Sequence, residues 1–186
     1  PVNLSSSPFG EKEVRALVHF TDVDGEKHFC KRAVYVNWMD SILTKKTVPD
    51  SALVNDSLYG NDPVDIVDDW VTVAEDGYLT LRFSTLWGNR GIAHKVNLLT
   101  GGNPENPYEV EFRHDACGDA GSWRSDALVA FDLGKLPDTG GRTVKLTLVW
   151  QSFRGRRTAE FDYCTRKKTG NVARQIEQMQ RGGMLR

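Results

Sequence analysis

From Trp70 to Phe83 the chain reads WVTVAEDGYLTLRF, two stretches joined at Asp76-Gly77. On the far side Leu79, Leu81 and Phe83 are apolar, while Thr80, Arg82 and Ser84 are polar. A period of two places one face of a strand in a core and the other in water. Asp-Gly supplies the positive φ angles of a tight hairpin turn. The alternation recurs downstream and predicts strands over roughly 66–75, 78–87, 92–99, 108–115, 127–133, 143–153 and 157–164. Turn residues separate them: Gly88-Asn89, Gly101-Gly102-Asn103-Pro104, Gly118-Asp119, Pro137-Asp138 and Arg154-Gly155. Short strands at this spacing predict an all-β fold, an antiparallel sandwich of immunoglobulin type, with a barrel as the alternative. Its expected core is Leu81, Phe83, Val96, Leu98, Val110, Phe112, Val129, Phe131, Leu146, Leu148, Trp150 and Phe161.

Upstream, Val14, Ala16, Val18 and Phe20 alternate with other residues and predict a strand that runs into a turn at Asp24-Gly25. A second strand, over 27–38, is apolar on both sides: Phe29, Ala33 and Tyr35 on one, Val34, Val36 and Trp38 on the other. Such a strand is expected to be covered on both faces. Contact with the sandwich is the favoured cover, and a second copy of the chain the alternative. Asn61-Asp62-Pro63 breaks the pattern, so the expected units are an N-terminal part over 1–66 and the sandwich over 67–166. After that the period changes. Val172, Ile176 and Met179 form one helical stripe ended by Gly182-Gly183, which predicts a short basic helical tail over 167–186.

Hydrophobic residues make up 39% of the 186 and charged residues 26%, as in folded soluble proteins. The net charge of −1 gives no global field for nucleic acid or membrane. The sign is uneven: from Thr165 onward six Lys or Arg face one acid, Glu177. No apolar run reaches membrane-spanning length. A chain starting at Pro1 rather than Met implies that a leading segment is removed. Cys30, Cys117 and Cys164 are an odd number without paired spacing, which is not a disulfide framework. All three are expected to be unbridged, with a Cys117–Cys164 bridge as the alternative.

The densest chemistry is Arg113-His114-Asp115-Ala116-Cys117-Gly118-Asp119. His114, Cys117 and Asp119 are candidate metal ligands. The segment lacks two separated ligand pairs, so a strand end running into a turn is the favoured reading. Thr21 to Glu26 resembles a calcium loop but lacks its later acidic positions. There is no Gly-x-Ser-x-Gly and no His-Glu-x-x-His, so neither catalysis nor a cofactor is signalled. Residues 1–62 hold seven basic and nine acidic residues, without the basic stripe that single-strand binding needs. The candidate binding residues are Trp38 and the arginines Arg154, Arg156 and Arg157, followed after one strand by Arg166, Lys167 and Lys168. Edge protection is the competing role for the arginines.

The segments DGYLTLRFSTLWG (76–88), HKVNLLTGGNPENPYEVEFRHDA (94–116), ALVAFDLGKLPDTGGRTVKLTLVWQSF (127–153) and TAEFDYCTR (158–166) together resemble the C-terminal domain of the NigD-like proteins, envelope lipoproteins of Bacteroides and relatives. PFGEKEVRALVHFTDVD (8–24) and VYVNWMDSIL (34–43) resemble that family's N-terminal region, a small OB-like barrel. The resemblance implies export, a lipid-anchored mature N-terminus in a Gram-negative periplasm or cell surface, and a role connected with bacteriocin immunity. It brings no catalytic motif. The anchoring Cys is absent here. The N-terminal part offers two clear strands and a third at Val2–Leu4, against about five in an OB barrel. The expected function is a non-enzymatic envelope protein that binds another protein or a surface glycan, with no nucleic acid partner, membrane contact only through the anchor, and homo-oligomers admitted. The alternative is a glycan-active hydrolase with unrecognised carboxylates. A deep cleft with two close carboxyls would mark the hydrolase.

Overall fold

Two five-stranded sheets face one another in the computed structural model, which describes residues 1–11, 13–24 and 32–166. Asp24-Gly25 as a turn, the start of the second strand, Cys30, Lys167, Lys168 and the Val172–Met179 stripe lie wholly or partly outside the described residues. The chain forms β1 (Ala16–Asp22), β2 (Val34–Ser41), β3 (Thr44–Lys46), β4 (Val48–Pro49), a 3-10 turn (Ala52–Val54), α1 (Asn55–Tyr59), β5 (Asp65–Ile66), β6 (Val73–Glu75), β7 (Tyr78–Trp87), β8 (Lys95–Thr100), β9 (Glu109–Asp115), β10 (Trp123–Asp132), β11 (Val144–Ser152) and β12 (Gly155–Tyr163). One sheet has the order β3-β10-β7-β5, with β6 also on β7; the other runs β12-β11-β9-β8-β4. Most pairs are antiparallel. β3 on β10, β4 on β8 and β9 on β11 are parallel, because there the chain has crossed between sheets before pairing.

The all-β sandwich follows from the alternation. Leu79, Leu81 and Phe83 of β7 meet Val129 and Phe131 of β10 on one inner face; Val96, Leu98, Val110, Phe112, Leu146 and Leu148 form the other. Phe112 links the layers, 5.3 Å from Phe83 and 6.1 Å from Phe131 between ring centroids. Asp76 and Gly77 both have positive φ, 51° and 79°, as the β6–β7 hairpin requires. Trp150 and Phe161, expected in the core, are only half-buried, and Phe161 sits on the edge strand β12.

The sandwich starts earlier than the turn signals suggest. β3 lies against β10 from Thr44 onward, and β4 against β8. Lys45 reaches from β3 to the opposite sheet and donates to the Val96 carbonyl (2.5 Å) and Asn97 Oδ1 (3.1 Å). Burial pushes its ammonium below the usual lysine range. The Asn61–Pro63 break therefore falls inside the body that β3 and β4 have already entered.

The N-terminal part is a two-stranded ribbon of β1 and β2, bulged between His19 and Phe20. Val2 N–H donates to the Val34 carbonyl (2.9 Å), and the Asn3 amide both donates to the Val36 carbonyl (2.7 Å) and accepts from its N–H (2.9 Å). Asn3 thus uses its side chain to occupy the edge of β2. Among the described residues no closed barrel forms. The expected cover on both faces is only partial: Ala33 and Val36 are buried, but Val18, Phe20, Tyr35 and Trp38 are all exposed, with Trp38 tilted against His19. The link to the sandwich sits at the base of the ribbon, where Leu17 shares a cavity with Val71, Ala127 and Leu128 and polar contacts stand beside it. Arg15 pairs with Glu75 (2.7 Å), Glu13 with Arg166, and Tyr78 Oη donates to Glu13 (3.0 Å). Apolar periodicity reports a preference for cover without guaranteeing that the same chain supplies it.

Phe131 and Leu148 are both fully enclosed. Truncating either to Ala is expected to destabilise the protein by about 2–5 kcal/mol. Chemical denaturation measures this, and an unchanged midpoint in both variants would contradict the two-sheet core.

Candidate functional site

Chemistry gathers at the end of the sandwich where β7 stops at Trp87, β9 at Asp115 and β11 at Ser152, and where β8 and β10 begin. The β7–β10 register sets Trp87 opposite Trp123, and the β8–β9 register sets Lys95 opposite Asp115. The loops over 60–64, 88–94, 116–122 and 153–154 converge there.

His114 points inward from β9 against Phe83 (6.1 Å between centroids). Its Nε2 lies 2.9 Å from His94 Nδ1, and His94 Nε2 lies 3.2 Å from Asp119 Oδ2. His114 Nδ1 faces the Asp62 carbonyl at 3.4 Å. Trp87 stacks on His94 at 4.0 Å and 11°, anchored by its Nε1 donating to the Ser125 carbonyl (3.1 Å). Asp119 accepts from the N–H groups of Gly88 (2.8 Å) and Asn89 (3.1 Å). The His94 and Asp119 side chains are only 2% and 4% exposed.

Counting protons shows what this relay requires. Hydrogen bonds across all three contacts need three ring protons: one toward Asp119, one between the rings and one toward the Asp62 carbonyl. Burial pushes the His114 imidazole below its ordinary range, and a charge on His94 pushes the same way. The Gly88 N–H holds the Asp119 carboxyl below the usual range despite burial, helped by Asn89 and His94.

Close backbone approach completes the end. A Cβ on Gly121 would lie 1.9 Å from the Trp87 carbonyl carbon, so only glycine lets this loop rest on the β7 terminus. Asp62 ties the neighbouring loop, its carboxylate accepting from Ala116 N–H (2.7 Å). What results is a depression of about 180 Å³ with His114 and Asp119 in its floor and Pro63, Leu86 and Phe153 among its walls. Around it stand exposed aromatics under guanidinium groups. Arg90 lies 5.6 Å from the Trp123 ring centroid and Arg124 4.6 Å from that of Phe153. Arg124 also pairs with Asp65 (2.9 Å).

Of the candidate metal ligands, His114 and Asp119 do come together, through His94. Cys117 does not join them: it has φ 53° and its Sγ turns to the Asp115 carbonyl (3.7 Å). Among the described residues no group of three His, Cys, Asp or Glu is placed to hold a metal ion. Cys117 and Cys164 are free thiols at opposite ends of the sandwich. Arg154, Arg156 and Arg157 lie at the β11–β12 turn, near the depression, and Arg156 approaches Glu111 at 3.4 Å. Arg166 is at the other end, bound to Glu13 and Asp76 (3.3 Å to the latter), so the basic residues do not form one cluster. Trp38 stands on the ribbon. His94, Trp87, Trp123, Phe153, Arg90 and Arg124 were not singled out from the sequence. Their one signal is position: aromatics and arginines where a strand meets a glycine-rich turn.

Because the folded state lowers the His114 pKa, the unfolded chain binds the proton more tightly. The stability that His114 contributes is present above the unfolded value of about 6.5 and is lost as pH falls through that value toward the folded one. Melting temperature should therefore fall from pH 7.5 to 5, and the fall should be shallower in His114→Asn. Identical slopes in the two proteins would contradict the relay.

A family model described as the NigD-like C-terminal beta sandwich domain matches residues 46–163. No curated protein matches the chain. Among solved structures, a protein of Parabacteroides distasonis described as toxin-related is 34% identical, with a TM-score of 0.72 over 98% of this chain and 82% of its own. A protein of unknown function from Bacteroides vulgatus (19% identity, TM-score 0.66, 83% of this chain and 72% of its own) shares the fold. So does a NigD-like immunity protein from Bacteroides caccae (19%, TM-score 0.58, 81% and 76%). Matched over more than half its length, from β3 through β12, the chain belongs to the NigD-like family.

Proposed function

We propose that this is a non-enzymatic, immunity-type binding protein of the bacterial envelope that holds a partner protein at the aromatic end of the sandwich. The observation that carries this reading is the pair Trp123 and Phe153, exposed beneath Arg90 and Arg124 around a depression. Trp and Arg are the residue types that concentrate binding energy at protein interfaces, and arginine over an aromatic ring adds a direct attraction. The depression's floor supports binding over chemistry. The ring nitrogens of His94 and His114 and both oxygens of Asp119 face partners within the protein. The immunity role draws on the Bacteroides caccae relative named for it. Envelope location and a lipid anchor draw on family membership.

The test is capture of the partner from the envelope fraction of a producing cell, with the wild-type chain and a Trp123→Ala/Phe153→Ala variant. Loss of two anchors should cost about 2 kcal/mol or more, about a thirtyfold loss of affinity, while the melting temperature stays close to wild type. Equal capture of a protein by both would overturn the placement, and capture of a glycan alone would overturn the partner class.

A further inference from the structure

The four margins of the two sheets are unequal. β3 and β6 have three residues each, and β4 and β5 two each. Short edges of this kind protect a sheet from pairing with another chain. β12 is different: nine residues at the margin of its sheet, with no strand on its outer side among the described residues. Its register with β11 runs unbroken from Val144↔Tyr163 to Ser152↔Gly155. It contains neither a bulge nor a proline, two further protections of an edge, which leaves its charges as the remaining one.

The charges on β12 are arranged by sign. Arg154, Arg156 and Arg157 lie at its start, and Glu160 and Asp162 near its end. Arg156, Thr158, Glu160 and Asp162 alternate along one face and are all exposed. Charges of one sign would repel a second copy in either direction. This order repels a parallel copy in register and attracts an antiparallel one.

We infer that two copies of the chain pair β12 to β12, antiparallel about a two-fold axis through Thr158. In that register Arg156 faces Glu160 of the second copy and Thr158 faces itself, while Arg154, in the turn just before β12, adds positive charge at the end where Asp162 of the second copy lies. The Arg156–Glu160 pair occurs twice, once on either side of the axis, as an isologous contact demands. Opposite charges and Thr–Thr pairs directly across an antiparallel ladder are stabilising. On the other face the half-buried Phe161 of one copy lies over Gly155 of the other, where no side chain opposes it. The existing contacts survive: Arg156 to Glu111 and Lys145 to Asp162 both run inward to neighbouring strands. The inference is independent of what the aromatic end binds.

Sedimentation velocity on the full chain across a dilution series tests it. The wild type should form a dimer that dissociates on dilution and as salt is raised. Arg156→Glu and Glu160→Arg should each weaken the dimer by about tenfold or more, since each sets two like-charged pairs across the axis. The double variant Arg156→Glu/Glu160→Arg restores opposite charges between copies and should restore the dimer. Both residues are exposed, so circular dichroism should show the wild-type fold throughout. A wild type that stays monomeric at all concentrations would overturn the inference. So would single reversals that leave the dimer intact, or a double variant that fails to recover it.

Discussion

A carboxylate taken out of water needs protein groups to replace the lost hydration, and the Asp119 side chain is almost completely enclosed. Its replacements all come from the loop between β7 and β8: the backbone N–H groups of Gly88 and Asn89 and the ring of His94. That requirement holds the loop after β7 against the loop before β10. It also sets His94 flat on Trp87 and brings it to His114. The rim of exposed aromatics is placed as a result, because Trp87 and Trp123 are register partners and Phe153 lines the same depression as His114.

The relay and the core support each other from opposite directions. Phe83 touches Phe112 within the core and His114 at its margin, so the hydrophobic packing that makes the sandwich also desolvates the histidine. Desolvation strengthens the hydrogen bonds of a fully satisfied network and penalises any proton beyond those it can place. Hence a cluster of His, His and Asp can be a buried fastening. Such a fastening also positions the surface residues around it.

At the opposite end the attachment is of another kind. Glu13, Arg15, Glu75, Asp76 and Arg166 tie the ribbon to the sandwich through partly exposed ion pairs, which contribute little individually. The ribbon keeps Phe20, Tyr35 and Trp38 in contact with water. The two parts of the molecule thus differ in how they are held: the sandwich by apolar burial, the ribbon by polar contacts and by the Asn3 side chain along β2.

The sequence by itself determined the sandwich. Alternation of period two at Leu79–Leu81–Phe83, Val110–Phe112 and Leu146–Leu148 leaves a strand one way to bury its apolar face, and Asp76-Gly77 could only turn. Long segments sufficed to establish the resemblance to the family as well. Sequence could place His114 and Asp119 in one short stretch, yet their partner His94 lies 20 residues before His114 and 25 before Asp119. Only the β8–β9 register brings it back. The strands at 44–49 were invisible for a related reason: two or three residues carry no periodicity, and they are strands because β10 and β8 offer them partners. The cover of Tyr35 and Trp38 went the other way, since apolar pattern on both faces is local and what packs against those faces is not. Tertiary structure alone decided which aromatics and arginines share a surface, because Trp123, Phe153, Arg90 and Arg124 are separated along the chain and meet only where strands from both sheets end together.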